Sequence, residues 1–155
     1  MPTQTDSLAV IEATNLKKIS LGPLDATLKT LGDGIPGFVD HIPGKVFLKE
    51  RLGLTGMEAS VNAMLPGEGI PFLHKHKRNE ELFVVLRGRG QFMVDGAVHE
   101  LTEGDALRVA PDGARAIRNP YGEPLVFLVV QAQEGSLGGW TADDGVPLEA
   151  PLAWE

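Results

Sequence analysis

Cysteine is absent from the 155-residue chain. That removes disulfide scaffolds, thiolate-bound zinc, iron–sulfur clusters and thiol nucleophiles from consideration. Long hydrophobic runs are absent too. The longest aliphatic and aromatic stretch, Leu125–Val130, is too short to span a bilayer, so no membrane partner is expected. Met1–Lys18 has no basic start followed by an apolar stretch, so a cytoplasmic location is expected. Basic residues are scarce: 14 Lys and Arg stand against 21 Asp and Glu, a net charge of −7. A nucleic-acid partner needs a basic face to release counterions, and none is expected here. No Gly-x-Ser-x-Gly elbow occurs, which argues against nucleophilic serine catalysis of that type.

Turn formers are plentiful, with 19 glycines and 11 prolines, and 43% hydrophobic residues suffice for a core. Residues 57–131 read as short alternating segments separated by turns, the pattern of an all-β sandwich or barrel. The expected strands are Met57–Leu65, Leu82–Leu86, Gln91–Val94, Ala97–Leu101, Ala106–Ala110, Arg115–Asn119 and Leu125–Gln131. Asp95-Gly96 is a strong hairpin link, because both turn residues must accept φ > 0. Residues 1–55 form an N-terminal extension that looks strand-poor, with one short helix over Val46–Leu52 ending at Gly53. Residues 132–155 form a tail. From Asn119 onward the chain has six acidic residues and no Lys or Arg. Its two tryptophans, Trp140 and Trp154, suggest that part of it packs on the barrel or on a partner chain. The whole is read as one domain.

His74 and His76 lie two apart, so on a strand both imidazoles face one side while Lys75 and Lys77 face the other. If a short loop returns the chain alongside, Glu81 joins them. Two histidines and one carboxylate make a facial triad, suited to Fe(II) and also to Mn, Ni or Zn, with positions left open for substrate or water. The bland alternative is a solvated surface pair beside Lys75, Lys77 and Arg78, with Glu80 and Glu81 as exposed partners of little energetic weight. With Glu81 inward, alternation turns Phe83 and Val85 inward too. Gln91 is a candidate for the barrel mouth, and Phe72 for the cavity or core. His99 reads as a surface or structural residue, and Asp105 as a cap of the Gly104 turn.

The spacing His74-x-His76-x4-Glu81-x6-Gly88, preceded by Pro66-Gly67-Glu68-Gly69, resembles motif 1 of the cupin superfamily. The first glycine is displaced by one position, since Glu68 stands where the family has Gly. Gly104 to Asn119 keeps the spacing of the second cupin motif. There, however, Ala110, Asp112 and Arg115 stand for the family's Pro, Gly and metal-binding His. The alternative register places Pro111 and Gly113 on the motif and Ala116 at the histidine position. Neither register supplies the fourth ligand. The resemblance implies a jelly-roll type antiparallel barrel, a divalent metal (Fe, Mn, Ni or Zn) held by His74, His76 and Glu81, and a two-fold homodimer. It does not name a reaction, because this fold hosts oxygenases, isomerases, lyases and non-catalytic binders.

An inward Arg115 stays protonated and cannot ligate. Its charge about 5 Å from a divalent ion costs roughly 6–7 kcal/mol at an effective dielectric near 20. Three placements are open. Arg115 pairs with Glu81 and replaces the metal; it leans past the metal to bind the carboxylate or phosphate of a ligand; or it points outward. The expected function is therefore metal binding together with a small anionic metabolite held by Arg115, Gln91 and Phe83. The alternative is a non-catalytic or oligomeric relative whose metal site has lapsed.

Overall fold

In the computed structural model, residues 8–154 are described. They form twelve strands, two short α-helices and one 3-10 helix, Ala26–Thr30. The strands are β1 (Val10–Ala13), β2 (Leu16–Ile19), β3 (Gly32–Ile35), β4 (Val39–Pro43), β5 (Lys45–Phe47), β6 (Glu58–Met64), β7 (Asn79–Arg87), β8 (Arg89–Val94), β9 (Ala97–Thr102), β10 (Ala106–Val109), β11 (Arg115–Arg118) and β12 (Leu125–Gln133). The α-helices are α1 (Lys49–Leu52) and α2 (Thr141–Asp144).

Two antiparallel sheets face each other. The larger has the order β10-β7-β12-β6-β5, and the smaller β11-β8-β9. Alternation decides what lies between them. On the larger sheet Phe83, Val85, Phe127 and Val129 face inward; on the smaller, Phe92 and Ile117 do. Phe83 meets Phe92 edge-to-face across the gap at 4.9 Å between ring centres. The result is an all-β cupin-like fold, as the spacing predicts.

The outer face of the larger sheet is buried as well. Leu28 and Leu31 cover Val46, Val61, Ala63 and Val126 there. Double-sided burial explains why Leu125–Val130 is continuously apolar: Leu125, Phe127 and Val129 face one core and Val126 and Leu128 the other. At roughly 25 cal/mol per Å² of apolar surface, each of these side chains contributes on the order of 1.5–3 kcal/mol.

Turn chemistry sets the connections. Asp95 (φ 49°) and Gly96 (φ 82°) form the expected two-residue hairpin between β8 and β9. Gly88 (φ 80°) joins β7 to β8, and a Cβ there would overlap the carbonyl oxygen of Pro124.

Three expectations are corrected. The first 55 residues are not strand-poor: β1–β2 and β3–β4 are hairpins, and β5 pairs with β6 inside the larger sheet. The expected helix over Val46–Leu52 is only its second half. Val46 is fully buried in β5, and the helical turn begins at Lys49 and ends at Gly53 in the left-handed region. Of the two alternatives for the tail, packing on the barrel is the one corrected, since Trp140 is 68% and Trp154 88% exposed on the single chain. No helix among the described residues is long and apolar enough to cross a membrane.

Candidate metal and ligand site

His74 and His76 do not sit on a regular strand. Their segment runs antiparallel beside β11 and is tied to it by backbone hydrogen bonds. His74 and Arg115 exchange N–H···O bonds of 3.2 and 2.9 Å, and the His76 N–H donates to the Pro111 carbonyl at 3.0 Å. This docking replaces strand pairing and still turns both imidazoles to the interior. Glu81 lies near the start of β7, where its register partner across β12 is Gln131. Phe83 and Val85 follow it inward, into the core between the sheets.

The three groups converge on one atom. His76 Nε2 lies 3.1 Å from Glu81 Oε1 and His74 Nε2 lies 4.0 Å from it. One ligand atom from each of the three residues can be taken so that all lie within 4.8 Å of one another. Two donors each bonded at about 2.1 Å to one ion stand roughly 3–4 Å apart, so the spacing suits a single divalent cation. Burial pushes the His74 imidazole below its usual pKa, against the pull of Glu81 and with help from the charge on Arg115. A neutral imidazole is the form that ligates.

Arg115 points inward and pairs with Glu81. It is fully buried, and its Nε lies 3.0 Å from the same Glu81 Oε1. The contact is an ion pair by distance, because the N–H is not aligned with the oxygen. Nη1 donates to the Gly113 carbonyl at 2.8 Å and to that of Pro111 at 3.3 Å. Nη2, like His74 Nδ1, is buried without a hydrogen-bond partner. Such orphaned atoms mark places where a bound water or ligand oxygen completes a site. The register also decides between the two motif alignments. Arg115 and Ile117 face inward opposite Val94 and Phe92, whereas Ala116 and Arg118 face out opposite Met93 and Gln91.

Gln91 is therefore not brought to the histidines. It lies on the outer face of the smaller sheet, accepting from Arg118 at 2.6–2.8 Å and donating to Glu100 at 2.6 Å. There it lines an open groove of about 410 Å³ together with Met93, Val98 and Ala116. His99 is exposed on β9. Asp105 accepts the Thr102 N–H at 2.7 Å and so caps the Gly104 turn as expected. Phe72 is not core: it is 46% exposed, in edge contact with Phe38 on one side and His74 on the other.

Sequence reasoning missed three interior polar residues. Lys45 on β5 reaches Asn62 Oδ1 at 2.9 Å and Ser60 Oγ at 3.3 Å on β6, and lies over the Phe47 ring. Burial lowers the pKa of its ammonium, opposed by Glu81 and Glu58. The signal was present in the alternation of polar Glu58, Ser60 and Asn62 with Ala59, Val61 and Ala63 along one strand. The helix expected over Val46–Leu52 hid it.

Comparison with known proteins agrees with this architecture. A family model for the cupin domain matches residues 61–131. The crystal structure of a cupin protein from Bacteroides fragilis is 46% identical, covering 67% of this chain and 88% of that one with a TM-score of 0.66. A sugar phosphate isomerase from a cupin superfamily, from Silicibacter pomeroyi, is 24% identical over 57% of this chain and 58% of its own, and shares the fold at a TM-score of 0.53. An uncharacterized protein of Methanocaldococcus jannaschii is 31% identical over 71 residues, 46% of this chain. The chain spans 57% of that curated relative's length. With the motif, the facing sheets, the inward histidines and these likenesses together, the chain belongs to the cupin superfamily.

Proposed function

We propose that this protein holds a divalent metal through His74, His76 and Glu81 and binds a small anionic molecule beside it. The observation that carries this reading is the convergence of both imidazole Nε2 atoms on Glu81 Oε1. The donor set is the two-histidine, one-carboxylate facial arrangement, which suits Fe(II), Mn, Ni or Zn. Such an ion, when bound, supplies Lewis acidity or an oxygen-binding centre. The chain's own contribution is to favour the neutral form of the His74 imidazole, to keep Phe83 in the dry core, and to set a fixed cation next to the carboxylate.

That cation weakens the ion. A guanidinium about 4 Å from a divalent charge costs on the order of 8 kcal/mol at an effective dielectric near 20, which the Glu81 carboxylate offsets only in part. A second reading follows from the 3.0 Å contact between Arg115 and Glu81: the ion pair stands in for the metal, and the interior binds a small molecule without one. Elemental analysis of protein purified without added metal decides between the two. The metal reading expects near-stoichiometric Fe, Mn, Ni or Zn, lost in His76→Ala. Protein free of metal that also takes up none of these ions in a titration supports the ion-pair reading.

A further inference from the structure

Two apolar surfaces lie bare on the single chain. The first is the outer face of the smaller sheet. The solvent side of an antiparallel sheet is ordinarily polar, yet Ala116, Met93 and Val98 point outward there. Register sets them side by side in one row across β11, β8 and β9. Phe72 and Leu73, in the segment docked beside β11, wall the groove of about 410 Å³ that runs over this row. Phe72, Leu73, Met93 and Val98 are all exposed. A contiguous apolar patch of this kind marks a contact surface.

The next row of the same face is polar and carries a spare positive charge. It consists of Arg118, Gln91 and Glu100. Arg118 donates from Nε and Nη2 to Gln91 Oε1 at 2.8 and 2.6 Å, and Gln91 donates to Glu100 at 2.6 Å. The Tyr121 hydroxyl donates to the other oxygen of Glu100, and the Arg89 guanidinium lies 3.9 Å over the Tyr121 ring. Two guanidiniums thus share one carboxylate. Past Arg118 the groove continues into a second hollow of about 430 Å³ between residues 67–71 and Pro120. The two hollows share Ile70, Pro71 and Arg118, and together they make a trough long enough for a stretch of chain.

The second bare surface is the tail. Leu137, Trp140, Val146, Leu148, Leu152 and Trp154 are each at least 68% exposed. Residues 134–154 hold four acids, Glu134, Asp143, Asp144 and Glu149, and no Lys or Arg. Pro147 and Pro151 disfavour a helix over 146–154, and neither helix nor strand forms there. Tail and trough are complementary in apolar content and in sign of charge. The root of the tail, however, is fixed to the larger sheet, across the sandwich from the trough. There the Glu134 N–H donates to the Arg78 carbonyl at 3.0 Å, and its carboxylate pairs with Arg108 on β10 at 2.5 Å. A tail arriving from another molecule avoids that detour.

We propose that the trough receives the tail of a second copy of this chain, with apolar side chains over Met93, Val98 and Phe72 and an acidic one at Arg118. Reciprocal exchange buries both tails and closes the pair, so the contact does not propagate. The proposal concerns the outer face alone and does not depend on a metal or ligand in the interior.

The test is sedimentation of the full chain from micromolar to near-millimolar concentration, with tryptophan emission read on the same samples. A monomer–dimer equilibrium is expected, with emission moving to the blue as the dimer forms. Arg118→Glu sets like charge against the tail and is expected to weaken the dimer at least about tenfold, and so is Leu148→Asp. A synthetic peptide of residues 137–154 is expected to break the wild-type dimer. It is expected to bind Leu148→Asp, whose trough is intact, at least about tenfold more tightly than Arg118→Glu. Oxidative footprinting of the wild type needs no variant: Met93, Trp140 and Trp154 are expected to become protected together as concentration rises. A monomer at every concentration overturns the proposal. So does a dimer whose tryptophans or Met93 stay open to oxidation, because the contact then lies on another face. Blue-shifted tryptophans in a monomer mean a tail docked on its own chain and overturn it as well, as does a peptide that neither binds nor competes.

Discussion

One oxygen atom, Glu81 Oε1, is approached by His76, His74 and Arg115 together. Competition for that atom makes position 115 a control point. Arg115→His removes the fixed charge and supplies the imidazole that the second cupin motif has there. Metal affinity in a titration is expected to rise by tenfold or more, given the roughly 6–8 kcal/mol of repulsion removed at an effective dielectric near 20. Unchanged or weaker affinity would show that Arg115 does not oppose the ion. His74 carries a pH signature. Its folded-state pKa lies below the ordinary 6.5, so the unfolded chain binds the proton more readily. The stability it contributes is intact above that value and declines as the pH falls below it. Denaturation midpoints between pH 7 and 5 are expected to fall less steeply in His74→Gln than in the wild type. Asn119 has a structural part. Fully buried, it donates to the Met64 and Glu123 carbonyls at 3.0 and 2.7 Å and accepts the Tyr121 N–H at 3.0 Å. Asn119→Ala strands all three groups and is expected to cost about 2–4 kcal/mol in urea unfolding. The histidines and Glu81 were legible from spacing, because motif distance sets which side chains meet. The direction of Arg115 was not, since it depends on carbonyls at 111 and 113 that only the folded loop brings to it. Lys45 was equally hidden, its partners lying on the next strand 15 and 17 residues along the chain.

Among the elements, those with strong turn chemistry were legible and those without it were not. Asp95-Gly96 announces its hairpin in two letters. The β1–β2 hairpin turns instead on Asn15, in the left-handed region at φ 60°, between short strands that are almost wholly exposed and so carry no hydrophobic alternation. The strand β5 is three residues long and runs straight into a helical turn, which gives no period to read. Gly88 tests the turn argument. Ala at that position is forced to φ 80° and against the Pro124 carbonyl, and a loss of about 1–3 kcal/mol is expected. Gly122→Ala, where an added Cβ meets nothing within 4 Å, is the matched control and is expected to change little. Equal losses in the two variants would reject the steric account.

For the whole molecule, Trp140 and Trp154 report on the tail, since the chain has no other tryptophan. Both are exposed on the single chain, so the fluorescence of the dissociated native protein is expected to peak close to that of tryptophan in water and to shift little on unfolding. A blue-shifted spectrum that reddens on dilution is the sign that a second copy covers them. The covering that does exist lies at the other end of the chain. The family match begins at residue 61, yet Leu28 and Leu31 lie over Val61, Ala63 and Val126 on the outer side of the larger sheet, and Val46 extends that face from β5. Anyone trimming the protein to the conserved motifs would keep every candidate ligand and strip the coat from the back of the sheet. The trimmed product would be a greasy slab prone to clumping, and its silence in a binding assay would say nothing about the histidines.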